Sequence, residues 1–177
     1  AEAGVNHDGS ISKALELIDA AIYAGADAVK FQTYKTEQYV TKKAGKAQYQ
    51  KDATGINENQ FQMIKNLELK YEDYYALKDK CFQNQIKFLS TAFDHESLKF
   101  LVNDLKVETL KIPSGEITNG PYLLEHSKCK KELIVSTGMS SFDEIELALG
   151  VIAFGLLGSK NPCEENFKKS FNSESGQ

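Results

Sequence analysis

The sequence has few of the features that mark secreted, zinc-binding or membrane proteins. Its three cysteines, Cys81, Cys129 and Cys163, are odd in number and form no CxxC pair. This spacing indicates neither a disulfide framework nor a zinc site. No apolar run approaches the roughly 20 residues of a membrane span, and no secretion signal opens the chain. We therefore expect a soluble, cytoplasmic protein that binds no membrane.

An excess of charge of one sign is also missing. The net charge is -4 and the basic residues are scattered along the chain, which gives no electrostatic footprint for nucleic acid. No HxH or HExxH pair occurs, so these residues alone do not complete a metal site. A hydrophobic content of 41% over 177 residues is enough to bury the core of an ordinary globular protein.

Five short apolar segments end in polar residues, and patterns of helical period separate them. The strands are predicted at 1–4, 26–33, 86–91, 107–112 and 133–136. Helices are predicted from Ile11 to a stop at Gly25 and at 60–67, 72–84 and 142–154, although 72–84 has only a partial apolar stripe. This alternation predicts an α/β protein with parallel strands. No GxGxxG follows the first strand, which argues against an open dinucleotide-binding sheet.

Polar groups at the end of every strand favour a TIM-type (β/α)8 barrel instead. Such a barrel typically needs about 250 residues, so only about the first five βα units would be present. We assign residues 1–158 to the N-terminal part of the barrel and 159–177 to a polar connecting segment. The chain is then expected to be an internal fragment of a longer enzyme.

Two lysines, Lys30 and Lys111, lie inside otherwise apolar strands, where an unpaired ammonium costs several kcal/mol. In one interpretation, Glu2 and Glu116 neutralise them as structural counter-ions. In the other, both lysines bind an anionic ligand. Nearby hydroxyl groups would assist them, from Ser90, Thr91, Ser114 and Ser136. The repeated placement at strand ends favours the ligand.

The acid–base candidates are Glu2 and Glu116, with counter-ions as their alternative role. His7 follows the first strand and is a candidate ligand or proton carrier, although a lone loop histidine is more often a hydrogen-bonding or surface residue. The catalytic candidates are therefore Glu2, Lys30, Lys111 and Glu116.

Several motifs together resemble the bacterial sialic acid synthase family, in order and spacing, from residue 1 to about 155. They are Ala1-Glu2-Ala3-Gly4-Val5-Asn6-His7-Asp8-Gly9, Ala28-Val29-Lys30-Phe31-Gln32-Thr33, Ser90-Thr91-Ala92-Phe93, Lys111-Ile112-Pro113-Ser114-Gly115-Glu116 and Ser136-Thr137-Gly138-Met139. Ala92 and Pro113 depart from the usual family motifs, which changes backbone stiffness but no reacting group.

The resemblance implies an enzyme that condenses phosphoenolpyruvate with N-acetylmannosamine, or a related amino sugar, to give a nine-carbon sialic-type acid and phosphate. It implies that phosphoenolpyruvate is bound by Lys30, Thr91, Lys111, Ser114 and Ser136. It implies that Glu2, Gln32 and Phe93 contact the sugar, with Glu116 behind the reacting groups. With Ser90 added from its position near the end of a strand, the substrate-binding candidates are Gln32, Ser90, Thr91, Phe93, Ser114 and Ser136.

The resemblance also implies a divalent metal, manganese or magnesium, held by histidines on later strands that this sequence lacks. A full-length homodimer with a C-terminal antifreeze-like domain is implied as well, so we expect the fragment alone to be inactive. The main alternative is a legionaminic acid synthase acting on 2,4-diacetamido-6-deoxymannose. Two others are a non-catalytic sugar- or phosphate-binding half-barrel and a structural barrel with internal lysine–glutamate pairs.

Overall fold

The computed structural model describes residues 1–42, 59–174 and 176. It is an α/β structure that divides into two compact units, Ala1–Lys106 and Val107–Gln177. The strands pair in parallel within each unit, as the alternation of strand and helix predicts. None of the helices in the described ranges is long and apolar enough to cross a membrane.

The first unit has a three-stranded sheet in the order β1-β2-β3. Its elements are β1 (Glu2–Gly4), α1 (Ile11–Tyr23), β2 (Ala28–Thr33), α2 (Thr36–Tyr39), α3 (Gln60–Leu67), α4 (Tyr71–Gln83), β3 (Lys87–Ala92) and α5 (His95–Lys99), which continues as a π-helical turn, Phe100–Asp104. Strand β2 begins two residues later than predicted because the Ala26 N–H donates back to the Ala21 carbonyl of α1 at 3.0 Å.

Side chains of β2 alternate between two faces of this sheet. Val29, Phe31 and Thr33 are fully buried, and the intervening Lys30 and Gln32 are partly exposed. Because successive residues of a strand point to opposite faces, the two polar side chains share one face. The parallel register places Thr91 of β3 beside Gln32.

The second unit has a two-stranded sheet formed by β4 and β5. Its elements are β4 (Thr109–Ile112), a 3-10 turn (Ser114–Glu116), α6 (Gly120–Lys128), β5 (Glu132–Val135), α7 (Phe142–Leu156) and α8 (Glu164–Phe171). Helix α7 begins with the expected capping box, in which Ser141 and Glu144 bond reciprocally. Ile112, Leu123 and Val151 form the centre of the core between the strands and these helices.

Helix α8 lies in the segment that the sequence indicates as a polar connection. Phe167 of α8 packs edge-on against Phe154 of α7, with ring centroids 5.1 Å apart. The same helix backbone passes close to Gly150, where an added Cβ would lie 3.0 Å from the Phe167 carbonyl oxygen. Phe167 therefore anchors this short and mostly polar helix against α7 and the apolar core.

Candidate active site

Glu2 and Lys30 form an ion pair at the start of the sheet in the first unit. Glu2 Oε2 lies 2.5 Å from Lys30 Nζ, and the two side chains are 55% and 19% exposed. Gly4 makes room for the carboxylate: its φ is +54°, and an added Cβ would lie 3.2 Å from Glu2 Oε1 and 3.8 Å from Gln32 Nε2. The structure therefore brings Glu2, Lys30 and Gln32 together, as three of the sequence candidates require.

Thr91 and Phe93 extend this group along the next strand. Thr91 pairs with Gln32 in the sheet register, and the Phe93 N–H donates to the Thr33 carbonyl at 3.1 Å. By strand alternation, Phe93 follows the face that carries Thr91. The polar side chains and the Phe93 ring thus lie near the carboxyl ends of β2 and β3.

Ser90 lies on the other face of the sheet. Its register partner is Phe31, it is fully buried, and its hydroxyl is 2.7 Å from the Thr33 hydroxyl. Adjacent strand residues cannot both face one ligand in regular β structure, so the presence of Thr91 on the Lys30 face separates Ser90 from it. Its position gives no support to a substrate-binding role for Ser90.

The segment after β2 is fixed by the carboxylate of Glu68. The Thr36 N–H and hydroxyl donate to Glu68 Oε2 at 3.0 and 2.6 Å, and Lys65 Nζ lies 3.0 Å from the same oxygen. Burial raises the pKa of this carboxyl, but the hydrogen bonds from Thr36 and Lys65 outweigh it and leave the pKa below its usual range. Glu68 is therefore a charged anchor for α2, which sequence patterns alone did not single out.

His7 is buried beneath the turn that follows β1. Its Nδ1 accepts a hydrogen bond from the Gly9 N–H at 3.1 Å, and its ring centroid is 6.3 Å from that of Phe31, on the buried face of β2. Nε2 has no hydrogen-bond partner among the described residues. Burial lowers the pKa of His7, and the Asp8 carboxylate opposes this only in part. Of the roles considered for His7, the geometry favours that of a hydrogen-bonding residue of the turn.

In the second unit, Lys111 reaches the end of the neighbouring strand. Its ammonium donates to the Ile112 carbonyl at 2.8 Å and to the Ser136 hydroxyl. Thr109, two residues earlier on the same face, donates to the Glu132 carboxylate of β5. The Lys111 ammonium is therefore held beside a hydroxyl at the carboxyl ends of β4 and β5.

Ser114 lies against the glycine turn that follows β5. Gly138 has a φ of +54°, and an added Cβ would lie 2.7 Å from Ser114 Cβ and 2.8 Å from Ser114 Oγ. The turns at Ser114 and Gly138 thus meet with no space for a methyl group. Glu116, at the end of the 3-10 turn, accepts a hydrogen bond from Asn119 Nδ2 at 2.7 Å.

A metal site is not formed by the part of the chain that the structure describes. No three His, Cys, Asp or Glu side chains lie close enough there to hold an ion. The described residues therefore do not fit the divalent metal that the resemblance implies.

Known proteins match this chain over most of its length. The NeuB family model matches residues 17–170. The N,N'-diacetyllegionaminic acid synthase of Legionella pneumophila is 48% identical over 152 residues, which cover 86% of this chain and 42% of that protein. The Campylobacter jejuni protein of the same name is 47% identical over 152 residues, covering 86% and 45%.

A solved structure is similar as well. The crystal structure of N-acetylneuraminic acid (sialic acid) synthetase from Leptospira borgpetersenii, in complex with citrate, matches with a TM-score of 0.73. The match has 31% identity and covers 88% of this chain and 50% of that one. The chain spans less than half the length of the two legionaminic acid synthases. The match to the family model over residues 17–170 confirms the resemblance of the motifs, and the chain belongs to the NeuB family.

Proposed function

We propose that the protein containing this chain condenses phosphoenolpyruvate with an N-acetylated amino sugar, forming a nine-carbon sialic-type acid and phosphate. Membership of the NeuB family supports this reaction class. We further propose that the parallel βα units belong to a TIM-type (β/α)8 barrel, of which the five strands β1 to β5 are the first. The strand-end position of the candidate residues supports that architecture.

The main support for the proposal is the set of polar groups around the Lys111 ammonium. Its ammonium lies beside the Ser136 hydroxyl, and the Ser114 hydroxyl lies beside the turn that follows Ser136. An ammonium with hydroxyls and turn amides at strand ends suits carboxylate and phosphate oxygens. Phosphoenolpyruvate carries both groups, and we assign Lys111, Ser114 and Ser136 to binding it.

The first unit supplies the remaining assignments. We also assign Lys30 and Thr91 to phosphoenolpyruvate binding, as the family resemblance implies. Gln32 would donate or accept a hydrogen bond with the sugar, and Phe93 would pack against it. The Glu2 carboxylate, more than half exposed beside Lys30, would orient the open-chain sugar and take a proton from the attacking water.

The proposed reaction needs an oriented anion and a stabilised cationic intermediate. Carbon 3 of the enolpyruvate forms a bond to the aldehyde carbon of the sugar, whose oxygen takes a proton. Positive charge develops at carbon 2, water adds there and loses a proton, and phosphate leaves from the tetrahedral intermediate. Ammonium groups on the phosphate and carboxylate orient the reagent, and a nearby carboxylate stabilises the developing charge. We keep Glu116 as a supporting carboxylate behind Ser114.

For the sugar, the comparisons favour a substrate with two acetamido groups. The two N,N'-diacetyllegionaminic acid synthases share markedly more identity with this chain than does the N-acetylneuraminic acid synthetase. We therefore propose 2,4-diacetamido-6-deoxymannose as the preferred substrate, with N-acetylmannosamine as the second candidate.

Two further parts of the proposal concern groups outside the described residues. The divalent metal, manganese or magnesium, would take its ligands from elsewhere in the full-length protein, and no step above is routed through it. We also propose that the full-length protein is a cytoplasmic homodimer and that residues 1–177 alone are inactive.

The test is phosphate release by the full-length protein with phosphoenolpyruvate and each candidate sugar. We expect release with the diacetamido sugar, and a loss of about 100-fold or more in kcat/KM for Lys111→Met. Lys128→Met, at the exposed end of α6, is the matched control and should retain full activity. Wild-type protein that binds phosphoenolpyruvate but releases no phosphate with any of the sugars would instead support a binding module.

A further inference from the structure

Three aromatic rings form a compact group at the carboxyl ends of β2 and β3. The Tyr39 ring lies 4.9 Å from Phe93 and 5.7 Å from Tyr34, and Tyr34 lies 6.5 Å from Phe93 in an edge-on arrangement. Tyr34 is buried and its hydroxyl donates to the Ile64 carbonyl at 3.2 Å. Tyr34 is therefore the fixed base on which the other two rings rest.

Tyr39 remains 40% exposed although it packs against both of the other rings. Phe93 is partly exposed beside it. The two rings thus leave apolar surface exposed near the carboxyl ends of β2 and β3, where Gln32 and Thr91 also lie. Apolar surface at a strand end, next to an amide and a hydroxyl, suits a ligand that has both methyl and polar groups.

The position of Tyr39 is set in advance by its own helix. Helix α2 begins at Thr36, whose N–H and hydroxyl are both held by the Glu68 carboxylate. The Lys35 N–H, one residue earlier, donates to Asp94 at 2.8 Å, next to Phe93 in the chain. These bonds join the start of α2 to the segment that carries Phe93, so little ordering is needed when a ligand binds.

We propose that Tyr39 is a specificity-determining residue for the amino sugar and that its ring, with Phe93, receives an apolar substituent of that sugar. The substituent is an acetamido methyl or the methyl of a 6-deoxy position. This inference rests on the proposed function. Sugars with more such methyl groups gain more from the surface, so the diacetamido 6-deoxy sugar depends on Tyr39 more strongly than N-acetylmannosamine does.

The test compares substituted full-length enzymes in the phosphate-release assay with both sugars. Tyr39→Ala should lower kcat/KM for the diacetamido sugar by about 10-fold or more, the usual effect of losing one methyl-sized contact. The loss for N-acetylmannosamine should be smaller, and the KM for phosphoenolpyruvate should not change. Tyr39→Phe should behave as wild type because the ring face, and not the hydroxyl, makes the contact.

The control is Tyr23→Ala, at the end of α1, where the side chain is 95% exposed. It should leave every parameter unchanged. If Tyr39→Ala does not fold, Tyr39→Leu keeps the apolar packing and should still lower discrimination between the two sugars. Equal kcat/KM ratios in wild type and variants, or equal losses in Tyr39→Phe and Tyr39→Ala, would overturn the inference. A wild-type enzyme that is inactive with all sugars would refute the proposed function itself.

Discussion

A single methyl group at Gly138 should force apart the two turns at the strand ends of the second unit. The residue has a φ of +54°, and the Cβ of an alanine there would lie 2.7 Å from Ser114 Cβ. Carbon atoms pack best at about 3.5–4.0 Å, so one of the turns has to move by roughly 1 Å. A change of rotamer does not relieve this clash because Ser114 Cβ itself is one of the atoms in contact.

The expected loss of stability has two parts. Left-handed backbone costs a residue with a Cβ about 1–2 kcal/mol. Overpacking against Ser114 adds about 1–3 kcal/mol. Gly138→Ala should therefore lower the free energy of unfolding by about 2–5 kcal/mol. Gly158→Ala is the matched control in the same unit, since its φ is +67° and no atom lies within 4 Å of an added Cβ. It should show only the backbone part.

The assay is urea denaturation of residues 1–177, followed by circular dichroism, for both alanine variants and for Gly138→Ala combined with Ser114→Gly. The double variant should regain the free energy of unfolding that is lost to overpacking, so its remaining loss should equal that of Gly158→Ala. In the full-length protein, Gly138→Ala should also weaken phosphoenolpyruvate binding about 10-fold, because the Ser114 hydroxyl is displaced. Equal destabilisation by Gly138→Ala and Gly158→Ala would refute the assigned contact with Ser114.

Gly155→Ala would place a Cβ 1.8 Å from Ser127 Oγ and should cost about 1–3 kcal/mol in thermal denaturation; no loss would mean that this helix contact is loose. Burial lowers the pKa of His7 in the folded state. The free energy of unfolding should therefore be highest above about pH 6.5, the pKa of histidine in the unfolded chain, and should fall by up to about 1.4 kcal/mol per pH unit as the pH drops from there toward the lower pKa of the folded state. His7→Gln should flatten this dependence in urea midpoints at pH 5.5 and 7.5, and unchanged slopes would contradict the assignment. Glu2→Gln should change stability by at most about 1 kcal/mol, because water screens the half-exposed Glu2 carboxylate in its pair with Lys30, yet lower phosphate release about 100-fold. Full activity would leave Glu2 as a counter-ion only.

Sequence reasoning located most of the elements because the apolar patterns are strong. It also found the lysines, since a charge inside an apolar strand demands a partner wherever it occurs. Glu2 and Ser136 are among the candidate partners that the sequence offers, but which lysine each one meets depends on distances across strands, which the sequence does not contain. The structure places Glu2 beside Lys30 and Ser136 beside Lys111, 28 and 25 residues apart in the chain.

Ser90 shows where a motif is less informative than strand geometry. Ser90 and Thr91 both carry hydroxyls near a strand end, but alternation along the strand places the two side chains on opposite faces. This alternation can be read from the sequence once the position of the strand is known. Helix α8 has a weaker local signal because most of its residues are polar, and its position is set by the packing of Phe167 against Phe154, Gly150 and the apolar core. Tertiary packing of this kind overrides local polarity.

The exposure of the Glu2–Lys30 pair bears on the alternative that these charges are purely structural. A pair in which one side chain is 55% exposed contributes about 0–1 kcal/mol to stability. Lys30 lies on the partly exposed face of β2, opposite the face that buries Val29 and Phe31, so the pair is not part of that core. Stability therefore gives little reason for a lysine and a glutamate here. Glu2 and Lys30 share a face with Gln32 and Thr91, which gives a chemical reason for the two charges. Binding of a polar ligand on that face explains them although the pair contributes little to the stability of the fold.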